Sequence, residues 1–163
     1  DLLIETLNRI NDEDNLKNME LVVFGKNTSK PLPKMKFPIH YIGHLNDASL
    51  INLYSAADAT IVPSRQEAFC QTASESHACG TPVVAFDIGG LKDIVEHHKT
   101  GYLAKAFDTE DLAKGISWVL DDKNKKLLGE QARVRAVEKF SQQVVIKQYQ
   151  TVYEKVLNNK NET

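Results

Sequence analysis

Short apolar runs that alternate with amphipathic stretches constrain this chain most, because that alternation builds parallel sheets covered by helices. Leu21-Val22-Val23-Phe24 is a continuous apolar run ended by Gly25, and Ile39-His40-Tyr41-Ile42 is a second, closed by Gly43. Ala59-Thr60-Ile61-Val62 is stopped by Pro63. Pro82-Val83-Val84-Ala85-Phe86 carries its proline at the first position, where it disturbs a ladder least. Tyr102-Leu103-Ala104 is a weaker fifth run.

Helical patterns separate the runs. Leu2, Leu3, Leu7 and Ile10 mark one face of an opening helix. A helix over Asp47 to Ala57 has Asn46 or Asp47 as its cap. Another runs from about Phe69 to Cys79, with Gly80 placed to end it in the left-handed conformation. Gly89-Gly90 leads into a short helix through Val95, and Asp108 or Thr109 caps one that reaches Leu120. A long polar helix covers about Asn124 to Phe140. Ser141 starts the last, with Val144, Val145, Tyr149, Val152 and Val156 on or near one stripe. Asn27 to Pro38, with three prolines, is a loop, and 158–163 is a polar tail. The expected fold is α/β, a three-layer sandwich with a mostly parallel sheet, in one domain over residues 1–157.

Composition narrows the function classes. Hydrophobic residues at 42% and charged ones at 26% suit a packed globular chain rather than a disordered one. A net charge of -2 lacks the basic footprint of a nucleic-acid binder. No apolar run approaches the roughly 20 residues that span a bilayer. Cys70 and Cys79 are too few for a disulfide framework and lack metal-pair spacing, so the expected compartment is the reducing cytosol.

Open α/β sheets bind ligands where strands give way to helices at their carboxyl ends. The loop after the third run reads Pro63-Ser64-Arg65-Gln66-Glu67-Ala68-Phe69-Cys70-Gln71-Thr72-Ala73-Ser74-Glu75. Two carboxylates stand eight positions apart here, with a helix N-terminus between them. First-turn amides lack intrahelical partners and the dipole favours an anion, so a phosphate fits the amides near Phe69, Cys70 and Gln71. Glu67, just ahead of the helix, suits a sugar hydroxyl, and Glu75, about two turns on, suits a vicinal diol. The plainer alternatives are a favourable charge near a helix start for Glu67 and a solvated helix residue for Glu75. Arg65 is a phosphate contact or a solvated arginine.

The segment Pro63-Ser64-x-x-Glu67-x-Phe69-x-x-x-x-x-Glu75-x-x-Ala78-x-Gly80-Thr81-Pro82-Val83-Val84-Ala85 resembles the Glu-x7-Glu signature of glycosyltransferase family 4, of the GT-B fold. Gly43 and Leu53-Tyr54-Ser55-Ala56-Ala57-Asp58 resemble the stretch before that signature. Gly89-Gly90, Ile94-Val95 and Gly101-Tyr102-Leu103 resemble the stretch after it. The resemblance implies the donor-binding, C-terminal half of a retaining glycosyltransferase, Rossmann-like, which moves a sugar from a nucleoside-diphosphate sugar to a glycan or glycolipid. It implies that Glu67 contacts the transferred sugar, Glu75 holds the ribose hydroxyls, amides of Phe69 and Cys70 meet the sugar and diphosphate, and Gly43 and His44 lie near the base. Ser64, Arg65 and Gln71 belong to the same loop. No cofactor and no metal are implied.

The resemblance further implies an acceptor-binding N-terminal domain outside this sequence, together with an arginine and a lysine that grip the diphosphate. This chain alone is therefore expected to be inactive. A glycolipid acceptor implies a peripheral place at the inner face of the membrane. In the doubly wound order 3-2-1-4-5-6, the implied first strand lies before Asp1, so the strands at Leu21–Phe24 and Ala59–Val62 are expected to sit one strand apart.

Departures and rivals complete the reading. Ala68 and Cys70 stand where glycines are usual, and Ser76 and His77 where an alanine and a bulky apolar residue are common. Asp12-Glu13-Asp14 has a D-x-D look but belongs to an expected solvated turn. His97-His98 is a metal candidate or, as adjacent helix residues facing apart, a surface pair. Cys70 at a helix N-terminus is a reactive thiol or a filler of the site wall. Gly89-Gly90 lacks a dinucleotide fingerprint. A non-catalytic nucleotide-sugar-binding module and a GT-B nucleotide-sugar epimerase are the rival functions.

Overall fold

The computed structural model describes residues 2–10, 19–25 and 35–159. The Asp12-Glu13-Asp14 candidate and most of the proline-containing loop lie outside them. The elements follow the expected order: α1 (Leu2–Arg9), β1 (Leu21–Phe24), β2 (Ile39–Gly43), α2 (Asp47–Ala56), β3 (Thr60–Val62), α3 (Gln71–Ala78), β4 (Val83–Phe86), α4 (Leu91–Ile94), β5 (Gly101–Ala104), α5 (Thr109–Leu120), α6 (Asp122–Phe140) and α7 (Gln142–Asn159). Every strand pair is parallel.

Layering follows from the two-residue period of β4, which is buried on both faces. Val84 and Phe86 join one core with Leu7, Leu112, Ile116 and Val119, beneath α1 and α5. Val83 and Ala85 join the other with Ala73, Leu91 and Ile94, beneath α3 and α4. Helix–sheet–helix is thus the three-layer sandwich expected. Asn46 accepts from the Ser49 amide and Asp108 from the Glu110 and Asp111 amides, so the anticipated caps are made. Gly80 closes the α3 region at φ +78°.

The strands form two sheets, β1-β2 and β3-β4-β5. Among the described residues nothing pairs with the facing edges of β1 and β3. Between these strands lies a cavity of about 1220 Å³, walled by Leu21–Phe24, by Thr60 and Ile61, by Leu3 and Leu7 of α1, and by Leu53 and Tyr54 of α2. As expected, β1 and β3 do not pair with each other.

At the opposite edge, β5 blunts its own free amides. The Leu103 amide donates to His97 Nδ1 (3.0 Å) and the Lys105 amide to Asp111 Oδ2 (2.8 Å), which leaves that edge little to offer another strand. His97 is thereby an acceptor for backbone, and its ring stacks on the exposed His98 at 3.8 Å between centroids. Among the described residues no group of three or more His, Cys, Asp or Glu is gathered as a metal would need.

Two elements depart from the sequence reading. The apolar stripe of α7 exists, but Tyr149, Val152 and Val156 are exposed, at 62%, 57% and 53%. The helix also runs to Asn159, into the expected tail. Helix α3 starts at Gln71 rather than near Phe69, because Cys70 turns into the left-handed region at φ +75°. No helix among the described residues is long and apolar enough to cross a membrane.

Candidate functional site

The loop from Pro63 to Cys70 leaves the carboxyl end of β3 and enters α3. Ser64 Oγ donates to Glu67 Oε1 at 2.8 Å, which fixes the carboxylate. The loop backbone is held from below. The Gly90 amide donates to the Glu67 carbonyl at 3.1 Å. A Cβ on Gly89 would lie 2.1 Å from the Glu67 carbonyl oxygen, and one on Gly90 2.2 Å from that of Ala68. Only glycine allows so close an approach of two backbones.

Cys70 sits where the loop becomes helix. It is 7% exposed and makes no side-chain cap. Burial, more than anything else, pushes its thiol pKa up, and the charges of Glu67 and Glu75 push the same way. Of the two readings of Cys70, the buried thiol with its raised pKa fits the filler of the wall rather than the reactive thiol. Glu67 lies in the loop just before α3 and Glu75 in the second turn of that helix.

Glu75 lies on the exposed side of α3, where Tyr54 of α2 donates its hydroxyl to Glu75 Oε2 at 3.2 Å. Tyr54 is only 2% exposed, and its ring meets Phe24 edge-on at 5.9 Å, so the end of β1 reaches toward Glu75 through it. Tyr54 enters the sequence reading only within the stretch that precedes the signature. Its hydroxyl, which must find a partner when buried, is the signal that points to a polar role.

The remaining candidates divide. Phe69 is 42% exposed and rests edge-on against Phe140 at 5.5 Å, so the end of α6 supports the site loop. Gln71 opens the helix, exposed, its carbonyl accepting from Ser74 Oγ. With the helix starting at Gln71, the amides free by position are those of Gln71 and Thr72, since Ala73 already donates to Cys70. Arg65 is exposed and makes no hydrogen bond or ion pair among the described residues. Gly43 ends β2 at φ +70° with its carbonyl accepting from the Gly25 amide, and His44 follows exposed. Neither makes a hydrogen bond or ion pair with Glu67 or Glu75 among the described residues.

Ser76 and His77 have structural reasons. Ser76 Oγ donates to the Thr81 carbonyl (2.9 Å) and lies 2.8 Å from the Thr60 hydroxyl, and Thr81 Oγ1 donates to the Tyr54 carbonyl. This buried chain ties α3 to β3 and α2. His77 is fully buried with no hydrogen-bond partner on either ring nitrogen among the described residues. Burial holds its pKa down at about 4, although the Thr100 backbone favours the charged form. It fills the place of an apolar side chain.

Residues 1–135 match the family model described as glycosyl transferases group 1. N-acetyl-alpha-D-glucosaminyl L-malate synthase of Bacillus anthracis is 30% identical over 68% of this chain and 29% of its own. D-inositol 3-phosphate glycosyltransferase of Thermobispora bispora is 35% identical over 70% of this chain and 27% of its own. The chain therefore spans under a third of the length of these relatives. Among solved structures, sucrose-phosphate synthase of Thermosynechococcus elongatus superimposes with a TM-score of 0.68 at 33% identity, over 74% of this chain and 31% of that one. Anabaena HepE, solved with UDP and glucose, gives 0.75 at 20% identity over 96% of this chain and 44% of that one, a likeness of fold. With the family model matching residues 1–135 and relatives 30% and 35% identical over more than two thirds of its length, this chain belongs to the glycosyl transferases group 1 family.

Proposed function

We propose that this chain is the donor-binding part of a retaining glycosyltransferase of the family 4 type, which uses a nucleoside-diphosphate sugar. The observation that carries the reading is that both glutamates are held by hydroxyls, Glu67 by Ser64 at 2.8 Å in the loop that enters α3 and Glu75 by Tyr54 at 3.2 Å on α3 itself. Glu67, fixed by Ser64, accepts from a hydroxyl of the sugar and stabilises the positive charge that grows there as the glycosidic bond breaks. Glu75 takes the ribose diol; each carboxylate oxygen has two lone pairs, so its bond to Tyr54 leaves room for both hydroxyls.

The leaving diphosphate rests on the amides of Phe69 and Cys70 and of the opening turn of α3, where oriented donors stabilise developing charge. Arg65 is placed to add a cation, and Gly43 and His44 lie toward the base. The UDP held by HepE and the UDP-glucose of a second HepE complex support a nucleotide-sugar ligand. The acceptor is a glycan or glycolipid, and turnover belongs to the whole protein rather than to this chain alone.

Isothermal titration with UDP, GDP, ADP and their glucose, N-acetylglucosamine and mannose conjugates tests the reading. Saturable one-to-one binding of one diphosphate series supports it. No binding by the whole protein to any of them contradicts it.

A further inference from the structure

We infer that Tyr54 is a positioning residue for ribose recognition, its hydroxyl holding the Glu75 carboxylate where the diol arrives. The inference rests on the donor-site reading of Glu75. Glu75 sits on an exposed helix face, and a glutamate there has three free torsions and no reason to keep one of them. The Tyr54 hydroxyl supplies that reason, donating to Oε2 at 3.2 Å from a ring that cannot move.

The ring is fixed on several sides. It is buried to 2% exposure, meets Phe24 edge-on, and its own carbonyl accepts from Thr81 Oγ1. Thr81 in turn is bound through its carbonyl by Ser76, one residue beyond Glu75 on α3. Donor and acceptor of the Tyr54–Glu75 bond are thus clamped to the same buried polar chain. Burial first, and then the Glu75 charge, raise the phenol's pKa beyond its ordinary value, with the Thr72 hydroxyl pulling the other way. The phenol stays a donor across the working range of pH, and a donor preset to a carboxylate removes part of the ordering that binding otherwise requires.

Tyr54→Phe removes one oxygen and keeps the ring, its volume and its contact with Phe24. The test is isothermal titration of the whole protein with UDP, GDP and ADP and with the 2′,3′-dideoxy form of each. For the diphosphate that binds, Tyr54→Phe is expected to weaken the ribonucleotide roughly three- to tenfold, the range of one ordinary hydrogen bond, because the phenol acts on the ribose only through Glu75. The dideoxy form, which has no diol for Glu75, is expected to bind unchanged, and its binding shows that the variant is folded. In a Glu75→Ala background, Tyr54→Phe is expected to have no further effect. An equal loss for both ligands, or a further loss in that background, overturns the inference alone. A wild-type protein that does not distinguish ribose from dideoxyribose overturns the donor-site reading and this inference with it.

Discussion

The Gly90 amide donates to the Glu67 carbonyl at 3.1 Å, so the turn after β4 carries the loop after β3. A methyl group at Gly90 would lie 2.2 Å from the Ala68 carbonyl oxygen and 2.7 Å from Phe69 Cα, both backbone atoms that cannot swing aside. Gly90→Ala is therefore expected to push the Glu67 loop outward and to destabilise the fold by about 1–3 kcal/mol, the usual cost of overpacking. Urea unfolding gives the stability. Titration with a nucleotide sugar and its bare diphosphate gives the site, and the sugar conjugate is expected to lose more. A variant as stable as wild type with unchanged binding contradicts the clamp.

Cys70 offers a test of backbone strain. It is held at φ +75°, where a side chain costs roughly 1–2 kcal/mol that glycine does not. Cys70→Ala and Cys70→Gly both remove the buried thiol, but only the second removes the strain. The glycine variant is expected to be the more stable of the two by about 1 kcal/mol in urea denaturation, despite its freer unfolded chain. An alanine variant of equal or greater stability contradicts a strained Cys70.

His77 sets an acid limit. Its folded pKa of about 4 lies below the ordinary 6.5. Above pH 6.5 the ring is neutral in both states and its titration has no effect on stability. As pH falls from 6.5 toward 4, the unfolded chain binds a proton that the folded one refuses. Stability then drops by roughly 3 kcal/mol in all, the loss being complete near pH 4. His77→Leu is expected to flatten that part of the curve in denaturation at pH 7, 6, 5 and 4. An unchanged pH profile in the variant assigns the acid loss elsewhere.

Much of this was legible because local chemistry and tertiary structure agree. Four apolar residues ended by glycine mark β1, and Asn46 and Asp108 cap the helices they precede. The Glu-x7-Glu spacing bridges a loop and a helix turn, so covalent connection alone puts Glu67 just before α3 and Glu75 on it. What stayed hidden depends on contacts distant in sequence. Tyr54 and Glu75 meet across 21 positions, and nothing in either segment alone announces it. Cys70 turns left-handed because the Gly89-Gly90 approach fixes the preceding loop, against its own preference, and this moved the start of α3. The α7 stripe has a helical period, but period says only that a face is apolar and not that anything covers it.

The slot between β1 and β3 predicts an exchange pattern. Leu21 and Gly25 donate toward β2, so by the two-residue period the Val22 and Phe24 amides face the slot. Thr60 donates to the Pro82 carbonyl beside β4, so the Ile61 amide faces the slot as well. In the isolated chain these three are expected to exchange with solvent far faster than the amides of β4, which is paired on both sides. Protection of Val22, Phe24 and Ile61 equal to that of Val84 contradicts an open slot.

The division of labour between the two glutamates is the centre of this account, and one experiment reaches it directly. Transfer rate and nucleoside diphosphate affinity are measured side by side for Glu67→Ala and Glu75→Ala in the whole protein. Glu67→Ala is expected to abolish transfer while diphosphate affinity stays within about twofold of wild type. Glu75→Ala is expected to weaken the diphosphate by about 1–3 kcal/mol, through lost hydrogen bonds to a charged group. Equal losses of diphosphate affinity in the two variants, or transfer that survives Glu67→Ala, contradict the assignment.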